Sequence, residues 1–253
     1  MTTEHFTSPH GRRLACRYTA PSGSDLTYVW LCGFKSDMTG TKVMRLEAWA
    51  KAAGHGFLAF DYSGHGESGG AFEDGTISRW REDALDVIDA LTDGALVLVG
   101  SSMGGWMAML LARARPERVA GMILLAPAPD FTEVLIWPRL PDDAKKQILE
   151  EGSWLRPAEY EGEEPYPITR TLIEDGRNNL VLDKKTALSV PVRILHGMAD
   201  VDVPWQHGLA VAEAIEGEVT LTLVKSGTHR LSRPADLLLI ERTLDGLVKD
   251  VDG

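Results

Sequence analysis

The sequence predicts an α/β protein built on one mostly parallel central sheet with helices on both faces. Three observations carry this. Apolar runs of four to six residues recur along the chain, at 28–31, 57–60, 96–99 and 121–126, and largely apolar strand-like segments follow at 192–195 and 219–224. Segments of helical period separate most of them, and the runs end in loops rich in Gly, Ser, Asp and His. Strands buried on both faces read as unbroken apolar runs, and parallel neighbours need a crossover long enough to hold a helix.

The first twenty residues alternate in character around Pro9, His10 and Gly11, a hairpin signature that brings the chain into the sheet antiparallel. The strand at 28–31 leads through the loop 32–37 to a helix over about 41–53, which Gly54 ends. After the strand at 57–60 and the turn-rich loop 61–68, a strongly periodic helix follows. It sets Ile77, Trp80, Ala84, Leu85, Val87, Ile88 and Leu91 on one side and Arg81, Asp83, Asp86 and Asp89 on the other. Asp93 and Gly94 stop it. The strand at 96–99 enters a glycine-framed turn, and the next helix runs to Arg115 before Pro116.

Pro127 and Pro129 close the strand at 121–126, and there the alternation breaks. From about 131 to 185 the chain mixes short helical patterns and five prolines with Trp137, Trp154, Tyr160 and Tyr166, which reads as an inserted lid over the carboxyl edge of the sheet. Leu135, Ile136, Trp137 and Trp154 could line an apolar pocket there or form the lid's own small core. Alternation returns with a strand at 192–195, a helix over about 205–215, a strand at 219–224 and a terminal helix over about 234–248.

Composition narrows the class of function. The 253 residues carry no Gly/Ser-rich linker, so a single domain is expected. A net charge of −11 without a basic stripe opposes a nucleic-acid partner. No apolar run reaches the roughly 18 residues that cross a bilayer, and the start of the chain, with Glu4 and Arg12-Arg13, lacks the apolar core of a secretory signal. Two cysteines, Cys16 and Cys32, suit a reducing compartment, so a cytoplasmic location is expected. No metal-ligand spacing and no cofactor motif occurs, and oligomeric state leaves no mark on the sequence.

Chemistry concentrates in three loops. Gly100-Ser101-Ser102-Met103-Gly104 has the G-x-S-x-G pattern of a nucleophile elbow, in which glycines two before and two after the central serine allow backbones to approach closely. The reactive serine is therefore Ser102, above the amino end of a helix, and the Met103 amide is a candidate oxyanion donor. A serine hydroxyl needs a general base, and the base needs an acid to fix its tautomer. His229 follows the strand at 219–224, and Asp200 and Asp202 follow the strand at 192–195. His65 and His196 also sit in strand-end loops, where structural hydrogen bonding is expected of them.

The order Ser102, acid, His229 resembles the α/β-hydrolase superfamily over nearly the whole chain. His196-Gly197-x-x-Asp200-x-x-Val203-Pro204 is similar to that family's acid-bearing loop and implies Asp200 as the acid, leaving Asp202 solvated or capping the next helix. Cys32-Gly33-Phe34 stands where the family has His-Gly-x, implying the Phe34 amide as second oxyanion donor and the loss of one loop-ordering hydrogen bond at Cys32. Three segments, at 33–42, 60–68 and 99–106, together resemble the group of palmitoyl-protein thioesterases and mycophenolic acid acyl-glucuronide esterases with their bacterial relatives. That resemblance implies a serine hydrolase of carboxylic esters or acyl thioesters, with a small-molecule or acylated substrate and no cofactor.

Two other functions fit the same frame. A peptide or amide hydrolase of the prolyl aminopeptidase type would use acidic lid residues, here Glu159, Glu161, Glu163 and Glu164, to hold a free amino terminus. A non-catalytic small-molecule receptor would not need all three triad residues.

Overall fold

The computed structural model describes residues 2–158 and 164–252. β1 (Glu4–Thr7) and β2 (Arg13–Thr19) form the expected antiparallel hairpin, with Gly11 at φ 75° in its turn. Strands and helices then alternate through β3 (Leu26–Leu31), α1 (Thr41–Ala53), β4 (Gly56–Phe60), α2 (Ile77–Leu91), β5 (Ala95–Ser101), α3 (Met103–Ala114) and β6 (Val119–Leu125).

The chain next forms α4 (Asp142–Glu151), β7 (Ser153–Arg156), β8 (Tyr166–Thr169) and α5 (Arg170–Arg177), then the short β9 (Thr186–Ala187). It ends with β10 (Val192–Gly197), α6 (Trp205–Ala214), β11 (Ile215–Glu216), β12 (Val219–Val224) and α7 (Pro234–Asp252). No helix among the described residues is long and apolar enough to cross a membrane.

The main sheet has the order β1-β2-β4-β3-β5-β6-β10-β12. The hairpin enters antiparallel, and every pairing from β4 to β12 is parallel. The carboxyl ends of β3, β5, β10 and β12 therefore share one edge, where loops of an open parallel sheet form sites.

Burial follows the predicted pattern in the inner strands but not in β12, which stands at the edge of the sheet and has no buried residue. Every residue of β3 and β4 is buried, as continuous apolar strands between two helical layers should be. α2 turns Ile77, Trp80, Ala84, Val87 and Ile88 inward. α3 is buried on nearly every side, because the chain after α5 covers its outer face and takes the Trp106 Nε1–H on the Asn179 carbonyl at 2.9 Å.

One residue departs from the amphipathic reading. Asp83, placed by periodicity on the polar side of α2, is wholly buried. Its Oδ2 accepts from the Ser63 amide at 2.8 Å and hydroxyl at 2.6 Å, and its Oδ1 pairs with Arg12 Nε at 2.5 Å. A buried carboxylate is tolerated when it is paired and hydrogen-bonded in this way.

The segment between β6 and β10 holds the short helical pieces its patterns suggest, a π-helical turn at Thr132–Ile136, a 3₁₀ turn at Trp137–Arg139, α4 and α5, together with a β7–β8 hairpin that its mixed composition does not show. Asp130, at φ 58° after β6, anchors its far end by accepting the Val181 and Leu182 amides, each at 2.9 Å. Tyr160 lies outside the described residues.

Candidate active site

Ser102 sits between β5 and α3 at φ 56° and ψ −118°. This is a strained conformation for a residue with a side chain, costing on the order of 1–3 kcal/mol. The flanking glycines make it possible: a Cβ on Gly104 would run into the Leu31 carbonyl, and one on Gly100 into the backbone of Gly104. The Ser102 amide donates to the Leu125 carbonyl at 2.9 Å, and the Ser102 carbonyl accepts from Gly105 and Ala128. Ser102 occupies the N-cap position of α3 without capping it.

Its hydroxyl turns instead to His229, with Oγ 3.0 Å from Nε2. On the other side of the ring, Nδ1 lies 2.8 Å from Asp200 Oδ2. Burial alone would raise the Asp200 carboxyl, but hydrogen bonds from His196 and His229 and the Val203 amide bring it below the usual carboxylate range. An ionised Asp200 can only accept, so Nδ1 of His229 carries the ring proton and Nε2 is free to take one from Ser102.

The acid loop fixes Asp200 from several directions. Oδ1 accepts the amides of Asp202 and Val203 at 3.0 and 2.8 Å, and His196 Nε2–H donates to the Val203 carbonyl at 3.0 Å, 3.4 Å from Oδ2. Asp202 is half-buried, and α6 begins after Pro204 with no side-chain cap, so of the two alternatives expected for Asp202, solvated or capping, the capping one does not hold. Of the two acids, the one hydrogen-bonded to His229 is Asp200.

The loop after β3 lies against the serine. A Cβ on Gly33 would be 3.4 Å from Ser102 Cβ and 3.9 Å from Ser102 Oγ. Met103 supplies the first amide of α3. The sequence anticipates one lost hydrogen bond at Cys32, yet the Cys32 thiol lies 3.5 Å from the Ser36 carbonyl. The loop gains further support where the Lys35 amide donates to His65 Nε2 at 3.2 Å and the Met38 amide to Asp61 Oδ1 at 2.8 Å.

Phe34 packs edge-on against Phe72, Trp80 and Tyr166, and at a tilt against Phe131, with centroids 5.1–5.8 Å apart. Phe131 and Tyr166 thus bring the segment after β6 down onto this loop. Trp137 lies under the Arg177 guanidinium, 5.1 Å from its ring. Sequence reasoning assigned no role to Phe131, nor to Lys42, which reaches the site from α1; a helix-start lysine resembles any solvated charge. Glu159, Glu161 and Glu163 lie outside the described residues, and the Glu164 carbonyl accepts from Lys35 Nζ at 3.2 Å.

A model of the alpha/beta hydrolase family matches residues 28–239, from the first parallel strand to the terminal helix. The chain belongs to the alpha/beta hydrolase family. This hydrolase is 37% identical over 232 residues to the human mitochondrial palmitoyl-protein thioesterase ABHD10, covering 91% of the chain and 76% of that protein. A crystal structure of a putative hydrolase from Agrobacterium vitis superposes with a TM-score of 0.92 at 45% identity, covering 97% of this chain and 98% of that one. Mouse alpha/beta hydrolase domain-containing protein 10 gives 0.90 at 34% identity, covering 99% and 100%.

Proposed function

We propose that this hydrolase cleaves carboxylic esters or acyl thioesters through an acyl-enzyme on Ser102, with His229 as general base and acid and Asp200 as its orienting carboxylate. The observation that carries the reading is the continuous path from Ser102 Oγ through His229 to Asp200, with contacts of 3.0 and 2.8 Å. Similarity to a protein named palmitoyl-protein thioesterase supports an acylated substrate.

In the acylation half, Ser102 Oγ attacks the acyl carbon as its proton moves to His229 Nε2. Charge develops on the carbonyl oxygen, and we assign the amides of Phe34 and Met103 to hold it; in other hydrolases one side-chain donor of this kind is worth about 2.7–4 kcal/mol. The alcohol or thiol leaves with the proton from His229. Water then gives a proton to His229 Nε2 and attacks the acyl group, releasing the acid and restoring Ser102. Asp200 keeps Nδ1 protonated and stabilises the imidazolium formed in each half.

Residues about 131–185 act in this reading as a lid of the single domain, with Phe131 and Tyr166 as its contacts to the Phe34 loop. A cytoplasmic location belongs to the same proposal and rests on the two buried, unbridged cysteines, Cys16 and Cys32. Turnover of nitrophenyl esters and matched acyl thioesters of increasing chain length, beside an aminoacyl anilide, tests the substrate class. Acyl compounds are expected to be the better substrates. Faster cleavage of the anilide would move the assignment to a peptidase, and no turnover of any of them would leave a receptor.

A further inference from the structure

Lys42, the second residue of α1, sends its side chain into the space between two of the loops that form the candidate site. Its Nζ donates to Ser101 Oγ at 2.9 Å and to the Arg230 carbonyl at 2.8 Å. Ser101 immediately precedes Ser102, and Arg230 immediately follows His229. One ammonium group therefore joins the neighbours of the two residues between which a proton must pass.

The topology explains why such a joint matters. β5 and β12 are separated in the sheet by β6 and β10. At a strand spacing of about 4.8 Å this puts their ends roughly 14 Å apart. The loop after β12 has to reach back across two strands to bring His229 to Ser102. Its backbone bond to a neighbouring strand end goes to the acid loop, where the Ala199 amide donates to the Gly227 carbonyl at 2.9 Å. Lys42 adds the link from this loop to the elbow.

The lysine stands on a firm base. α1 is clamped to α7 by Arg45 on Glu241 and by Trp49 Nε1–H donating to Asp245 at 2.9 Å. The first turn of a helix disfavours positive charge. Burial lowers the Lys42 ammonium to about 8, with Asp200 and Asp236 opposing that shift and Arg230 adding to it. Two charge-assisted hydrogen bonds hold the group there, each stronger than a neutral one.

We propose that Lys42 is a positioning residue that sets the distance between Ser102 and His229 by binding Ser101 and Arg230 at the same time. This rests on the reading of Ser102 as nucleophile and His229 as base.

The test follows labelling of Ser102 by a fluorophosphonate probe together with steady-state kinetics on a nitrophenyl ester. Labelling of the wild type at Ser102 establishes the underlying reading; an unlabelled but folded wild type overturns both it and this proposal. Lys42→Met keeps the aliphatic stem and removes the donors. It is expected to slow labelling and kcat by on the order of 10- to 100-fold, as sub-ångström to ångström misplacement does, with KM within about 2-fold. Lys42→Arg restores donors and charge and is expected to recover part of the loss.

Ser101→Ala removes one anchor and is expected to lower kcat about 3- to 10-fold, the range of one hydrogen bond. Because both changes break the same joint, the double variant should be no slower than Lys42→Met alone. Wild-type labelling in Lys42→Met, or losses that multiply in the double variant, would overturn the proposal. If Lys42→Met does not fold, Ser101→Ala decides alone, and unchanged kcat in that variant overturns it.

Discussion

The Lys35 amide donates to His65 Nε2 at 3.2 Å, while His65 Nδ1 faces the Ser63 carbonyl at 3.3 Å. A carbonyl only accepts, so Nδ1 carries the proton and the ring is neutral, with Nε2 as the acceptor that holds the loop beside Ser102. Burial is the main cause that lowers this imidazole to about 4, against weaker opposing contributions from Ser63, Asp83 and Asp37.

A contribution of His65 to the pH dependence of stability follows with a definite sign. Between about 4 and the ordinary histidine value of 6.5 the unfolded chain binds a proton at His65 that the folded chain refuses, so the His65 contribution to stability rises with pH across that window, while the buried carboxyls Asp61 and Asp130, raised by burial, act the other way at its acid end. The contribution of His65 is on the order of 3 kcal/mol. His207 is lowered as well and adds to the slope, whereas the lowered Asp200 carboxyl acts only below about 3.8. Urea unfolding of wild type and His65→Phe at pH 4.5 and 7 should show most of the difference shrinking in the variant; an equal difference in both would contradict the neutral, buried ring.

The two acids after β10 should separate cleanly. Asp200→Asn gives His229 Nδ1 an amide in place of a carboxylate and removes the charge that favours the imidazolium, so kcat is expected to fall by about 10⁴-fold. A carboxylate oxygen of Asp202 lies within 4.8 Å of a His229 ring nitrogen, but the 2.8 Å contact to that ring belongs to Asp200, so Asp202→Asn is expected to cost far less than Asp200→Asn. Comparable losses in the two variants would remove the distinction drawn from the 2.8 Å contact to Asp200.

Glycines around the elbow offer a packing test. A methyl group on Gly104 would overlap the Leu31 carbonyl, which belongs to the buried strand β3 and cannot move away. Gly104→Ala is expected to cost about 3 kcal/mol or more, the upper range of overpacking. Gly33→Ala meets only ordinary contacts of 3.4 Å, so it should keep its melting temperature within about 2 °C while slowing turnover, since its Cβ would stand 3.9 Å from Ser102 Oγ. Thermal unfolding and nitrophenyl ester hydrolysis of both variants check the contrast.

Much of this architecture is written in local pattern. The run from Leu96 to Gly104 carries both its strand and its turn, because continuous apolar residues need burial on two faces and the glycines need close backbone approach. The loops bearing Asp200 and His229 are legible because they follow apolar strands in the right order. Asp83 is misleading for the opposite reason: its partners, Arg12 and Ser63, are distant in sequence, and periodicity cannot see them. The β7–β8 hairpin is hidden among prolines and aromatics that give no sustained period. Lys42 is illegible on any local reading, since its acceptors stand 59 and 188 residues away.

The covalent step itself is the most direct point of attack. Rapid acid quenching during hydrolysis of a nitrophenyl ester, followed by peptide mass spectrometry, should find the acyl mass on Ser102. In His229→Ala that adduct should form at least about 10³-fold more slowly. Ester turnover at the wild-type rate by Ser102→Ala, or an acyl adduct that forms on another residue at the rate of turnover, would contradict the account.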